Sequence, residues 1–114
     1  MRSMIVLLGL VWSMGLSAAG NTPTTAARSL ELREDGYQAL YVEDPGFAFS
    51  DEMCDFDDRA IIVETTQAHR SMVELFQQAL FTTRRVILRV DGCVNVVNDT
   101  ALTAPLVVKV EVRR

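Results

Sequence analysis

The residues of this chain that could do chemistry are few and scattered. Its single histidine, His69, stands two positions before Ser71, and these are the residue types of a general base and a nucleophile. On one helix, positions two apart point to opposite sides, so the two cannot form a working pair there, and a packed structural role suits His69 better. Asp51, Glu52, Asp55, Asp57 and Asp58 crowd one loop and offer the hard oxygen ligands that calcium takes. The spacing lacks the central glycine and distal glutamate of a calcium loop, which leaves solvated surface charge as the simpler reading. No residue is therefore assigned to catalysis, to a cofactor or to a metal, and the chain is read as a non-enzyme. A hydrolase would have only His69 and loose carboxylates to work with.

The two cysteines, Cys54 and Cys93, lie too far apart for a local redox or metal-binding motif, and one histidine adds little to a ligand set. Their compartment is read from the start of the chain, MRSMIVLLGLVWSMGLSAAG. Arg2 supplies a charged n-region, Met4 to Leu16 an apolar run, and Ser17 to Gly20 the small residues of a cleavage site, the pattern of a secretory signal peptide over residues 1–19. The run is shorter than the roughly 20 residues of a membrane-spanning helix. In an oxidising, periplasmic or extracellular compartment, an even pair of cysteines in a small domain reads as one disulfide, Cys54–Cys93. Closing such a loop would restrict the unfolded chain by about 4 kcal/mol on the chain-entropy model.

Without Arg2 the chain carries ten basic and fifteen acidic residues, a net charge of −5. Nucleic acid and anionic membranes would be repelled overall, and the densest basic run, Arg84-Arg85-Arg89, is only three residues around one strand.

The elements that would position these residues follow from pattern. Residues 20–28 are small, polar and aperiodic, a flexible leader. Leu30 and Leu32 alternate with Glu31 and Arg33, Glu34-Asp35-Gly36 supplies a turn, and Tyr37 to Val42 resumes as strand, which together predict a hairpin. Ala60-Ile61-Ile62-Val63, apolar on both faces, reads as a central strand. Thr65-Thr66 can cap a helix on which Ala68, Met72, Leu75, Phe76, Ala79 and Leu80 share one face, with Phe81 turned to the polar side. In RRVILRVDGC, Val86, Leu88 and Val90 share a strand face and Asp91-Gly92 turns the backbone before Cys93. Asn98-Asp99-Thr100, a glycosylation sequon in form, reads as a turn. Leu106, Val108, Val110 and Val112 then face inward on a closing strand. The order strand, strand, strand, helix, strand, strand indicates a single domain over 29–114, α+β but mostly β, with antiparallel pairing.

From Cys54 through Ala60-Ile61-Ile62-Val63 to HRSMVELFQQALFTTRRVILRVDGC, the chain resembles a family of small exported bacterial proteins of unassigned function, roughly from Gly36 to Val112. The helix-to-strand segment also resembles, distantly, the B subunit of subtilase-type cytotoxins, whose fold is an oligonucleotide/oligosaccharide-binding (OB) barrel. The resemblance implies a small, partly open, OB-like barrel of five or six strands, one helix plugging an end, and the Cys54–Cys93 bridge tying the barrel together. It places no residue of this chain on a glycan contact, so ligand-binding residues stay unassigned. Tyr37, Tyr41, Phe47 and Phe49 cluster near the first hairpin, and any left exposed would suit a partner surface.

The resulting expectation is an exported, non-enzymatic binding or interaction module without cofactor. A protein or a glycan is its partner class, and self-association stays open. The alternative is a periplasmic inhibitor or accessory subunit of another exported protein, for which the acidic 51–58 loop would suit a basic target.

Overall fold

A hydroxyl near the start of the described chain takes the place of a strand. In the computed structural model, which describes residues 20–98 and 100–114, Thr22 donates its backbone N–H to the Leu88 carbonyl at 2.8 Å and its Oγ1 accepts the Leu88 N–H at 3.0 Å. Thr22 is buried, and it bridges a gap between two short pairings on the same strand. Upstream, β1 (Gly20–Asn21) lies antiparallel to β5 (Arg85–Asn95), and downstream the start of β2 (Thr25–Glu31) pairs with it again. Gly20–Asn21 and the residues from Thr25 onward are thus strand where composition suggests a flexible leader, and between them Thr22 is tied to Leu88, 66 residues away. The expected signal peptide, residues 1–19, lies outside the described residues, as does Asp99 of the sequon.

The remaining elements are β3 (Tyr37–Val42), a 3₁₀ turn (Ser50–Glu52), β4 (Ala60–Val63), helix α1 (Gln67–Thr82) and β6 (Thr103–Arg113). The protein is α+β and mostly β, with one six-stranded sheet, one α-helix and one disulfide among the described residues. Pairing runs from β5 to β2, β3, β4 and β6, and β6 returns to β5, so the hydrogen bonding closes in a ring. Every pair is antiparallel except β4 with β6, which meet parallel through Ile61 and Leu106. The expectation of uniformly antiparallel strands is corrected at this one junction. The helix and β5 lie between β4 and β6, long enough to serve as the crossover a parallel pair needs.

Inside the ring, Leu40, Ile62, Phe76, Val86, Leu88 and Val90 are fully buried in one cluster that Phe49 joins from the 3₁₀ segment. The β5 alternation is as the sequence predicts, and Phe76 is the helix's anchor. The helix is rotated from the predicted face: Val73, Phe76 and Ala79 are buried, whereas Ala68 and Leu75 are exposed. Thr66 is its N-cap, accepting the His69 N–H at 3.2 Å, and Thr83 ends it in a left-handed conformation.

Two further expectations fail for a common reason. Asp91-Gly92 does not turn the chain; Gly92, at φ +79°, sits in a bulge, and β5 runs on through Cys93 to Asn95. On β6 the bulges shift the alternation, so Val107 is buried and Val108 exposed, the reverse of the simple period-two reading. A bulge inserts an unpaired residue and swaps the faces beyond it.

Candidate functional site

Outside the ring lies a second, smaller cluster. Ala39 of β3, Ile61 of β4 and Ala104 of β6 are buried there, with Tyr37, Tyr41, Phe56, Val63, Val94 and Val96 packed over them. That double burial explains why β4 is apolar throughout: Ile62 points into the ring and Ile61 out of it.

The covering layer is the loop from Glu43 to Arg59, held at three points. The Cys54–Cys93 disulfide joins it to β5, with Cα atoms 5.8 Å apart. Glu52, itself buried, accepts the Gly92 N–H on Oε1 at 2.6 Å, which fastens the loop to the bulge. Asp55 accepts the Thr103 N–H at 2.8 Å and its hydroxyl at 3.1 Å, and the Phe56 N–H donates to the Thr103 carbonyl at 2.9 Å, fastening it to β6. The expected Cys54–Cys93 disulfide is formed.

These anchors present a stack of cations and rings. The Arg59 guanidinium lies 4.5 Å from the Phe56 ring centre and 5.3 Å from that of Tyr41, and the Arg28 guanidinium lies 5.7 Å from Tyr41. Such contacts are attractive through the ring quadrupole. Arg59 is held in place by a two-pronged bond to Asp58, at 2.9 and 3.1 Å. That bond lowers the Asp58 carboxyl below its ordinary pKa and raises the Arg59 guanidinium, while burial pushes the Tyr41 phenol up. Arg28 reaches the stack because of a bulge: Ala27 pairs with Val42 and Ser29 with Tyr41, leaving Arg28 the extra residue. Bulges re-aim side chains in this way beside functional sites.

Beside the stack opens a cavity of about 330 Å³ lined by Arg28, Glu43, Ser50, Asp57 and Asp58, with Val42, Pro45 and Gly46 as its apolar side. Three carboxylates and one guanidinium make it suited to a cationic or multiply hydroxylated group.

The other residues singled out in the sequence do not join this site. His69 is half-buried at the helix start, its Nδ1 3.2 Å from the hydroxyls of Thr65 and Thr66 and from the Thr65 N–H, and Ser71 is exposed on another side. The acidic loop is divided among separate tasks, with Asp58 on Arg59, Asp55 on Thr103 and Glu52 on Gly92. Among the described residues, no three histidine, cysteine or acidic side chains gather as metal ligands would. Of the aromatic cluster, Phe49 is in the core, Tyr37 and Tyr41 lie on the outer layer, and Phe47 is 80% exposed, comparable to Phe81 at 79%. Arg28, Phe56 and Arg59 were not legible as site residues, since their convergence depends on a bulge and on cross-linked loops.

Among the described residues no helix is long and apolar enough to cross a membrane. No protein-family model, curated protein or solved structure matches the chain significantly.

Proposed function

We propose that the chain is an exported, non-enzymatic binding module that receives its partner at the Tyr41 stack and the adjoining cavity. The observation that carries this reading is the Arg28–Tyr41–Arg59–Phe56 arrangement, half-exposed charge and ring faces held rigid by a disulfide and two side-chain clamps. A preordered surface loses little conformational freedom on binding.

Strand order supports the same reading. The ring strands alone, β2, β3 and β4, then the helix, then β5 and β6, follow the order expected of an OB-like barrel, a fold in which the face of the second and third strands is the usual ligand platform. In this chain those strands of the ring are β3 and β4, and Tyr41 lies on the first of them. The disulfide is consistent with export.

Glu43, Asp57 and Asp58 in the cavity wall favour one specific alternative, a periplasmic inhibitor or accessory subunit whose protein target inserts a basic side chain. A glycan array run beside a pull-down from a periplasmic extract separates the two, each with the Tyr41→Ala and Asp57→Asn variants as controls. Carbohydrate hits lost with Tyr41→Ala support a glycan-binding module. A single stoichiometric protein lost in both variants supports the accessory role. Partners retained in full by both variants place the binding surface elsewhere.

A further inference from the structure

The outer face of the β5–β6 ribbon, away from the Tyr41 stack, carries charges in an arrangement that an isolated sheet would avoid. In the ladder, Arg85 stands opposite Arg113, Ile87 opposite Glu111, and Arg89 opposite Lys109. Like charges directly opposite across strands repel and destabilise the pair. Arg113 is relieved by Glu111, its Nε 2.8 Å from the carboxylate. Arg85, Arg89 and Lys109 are exposed and form none of the three ion pairs found among the described residues.

The row continues onto a third strand. Asn21 of β1 is in register with Arg89, so its amide, the guanidinium and the Lys109 ammonium form one line across β1, β5 and β6. Beside this line the chain leaves the sheet at Pro23 and Thr24, and a half-open cavity of about 340 Å³ lies there, with Arg89, Lys109 and Arg113 on its wall together with Ile87 and the one carboxylate, Glu111, that pairs with Arg113. A cavity of that size falls in the range of small-ligand sites. The surrounding protein is acidic, so the positive row is a local inversion of the overall charge and not a sample of it.

We infer that this groove is a binding site for a compact oxyanion, a phosphate or sulfate group, held between Arg89 and Lys109 with Asn21 and Arg113 at its edges. A planar guanidinium fork and an ammonium facing each other supply converging charged donors for a tetrahedral anion, and the bound anion turns the repulsive pair into two attractive ones. The site is independent of the partner surface at Tyr41, and either could exist without the other.

The test is titration of the purified chain with sodium sulfate and, separately, inorganic phosphate, against sodium chloride at matched ionic strength, following amide chemical shifts. Saturable shifts at Asn21, Arg89 and Lys109 are expected, weakened at least tenfold in the Arg89→Gln/Lys109→Gln double variant. A response to one anion alone, or to both, identifies which ester class the site accepts. Because sulfate stabilises proteins generally by exclusion from their surface, a second variant separates binding from that effect. Lys109→Glu replaces a like-charge pair with an opposite one, so it should raise the melting temperature in chloride and lose the site-specific shifts. No saturable response to either anion, or one that survives unchanged in both variants, overturns the assignment.

Discussion

The inside and the outside of the strand ring are stabilised by different kinds of contact. Inside, residues from every ring strand and the helix share one apolar cluster, and most of its members are wholly buried. Outside, three small or branched residues lie beneath a loop held by a disulfide, a buried carboxylate and an aspartate–threonine clasp. The inner cluster rests on summed apolar burial, which is non-directional and tolerates detail. The outer layer rests on a few directional bonds, and each has a defined partner. The difference suits a binding surface, since specific anchors can hold side chains such as Arg59 half-exposed where burial would have hidden them.

The contrast is sharpest at Phe76. Truncation to alanine removes the centre of the inner cluster and leaves a cavity, at a cost of about 3–5 kcal/mol, and thermal unfolding should show a melting temperature lowered by well over ten degrees or so. A loss of about 1 kcal/mol or less would mean that the helix is not the closure of the core.

Breaking the outer layer should cost somewhat less. Replacing both cysteines with alanine should lower stability by about 2–4 kcal/mol while leaving the far-ultraviolet circular dichroism of the core strands in place. The native chain should also resist free-thiol labelling and run faster on a gel without reductant. Labelling of Cys54 and Cys93 in the untreated protein would contradict the bridge.

A smaller effect is expected at Glu52, and it depends on pH. Burial raises this carboxyl above its ordinary pKa, the Gly92 N–H opposes that, and the charges of Asp91 and Asp51 add to it. Its second oxygen, Oε2, is buried without a partner. The folded chain therefore holds the proton more tightly than the unfolded chain, so this group favours folding below the unfolded carboxyl's pKa, and that contribution is lost as pH rises through the higher folded-state value. Glu52→Gln keeps an acceptor for Gly92 and removes the charge. Melting curves should show the variant more stable than the parent at pH 7 and the gap closing toward pH 4, and an equal gap at both pH values would refute the burial argument.

Least should happen at Phe81, which is 79% exposed on the side of the helix away from the core. Phe81→Ala should leave monomer stability within about 0.5 kcal/mol of the parent. Destabilisation matching that of Phe76→Ala would show the helix to be buried all round.

Much of the inner architecture was legible in the chain because it is written in local periods. The β5 alternation, the double-sided apolar run of β4, the Thr66 cap, the Gly36 turn and the Phe76 anchor all depend on neighbours a few positions away. Where one residue interrupts a period, the reading slips by one face, as it did at Val107 and Val108 beyond the bulges of the β5–β6 ladder. The candidate site is legible only at Tyr41, since Arg28 ends a polar, aperiodic stretch and Arg59 closes an acidic loop.

By itself, the sequence determined that this chain is a small, mostly β body with one amphipathic helix and a single available disulfide, because composition, short-range period and cysteine count bear on those directly. Tertiary structure alone decided that Thr22 completes the β5 ladder, that a bulge carries Arg28 to Tyr41, and that Arg89 faces Lys109. Each of these joins residues far apart in the chain, or depends on register, and register is set by the summed pairing of whole strands and not by any one residue's preference.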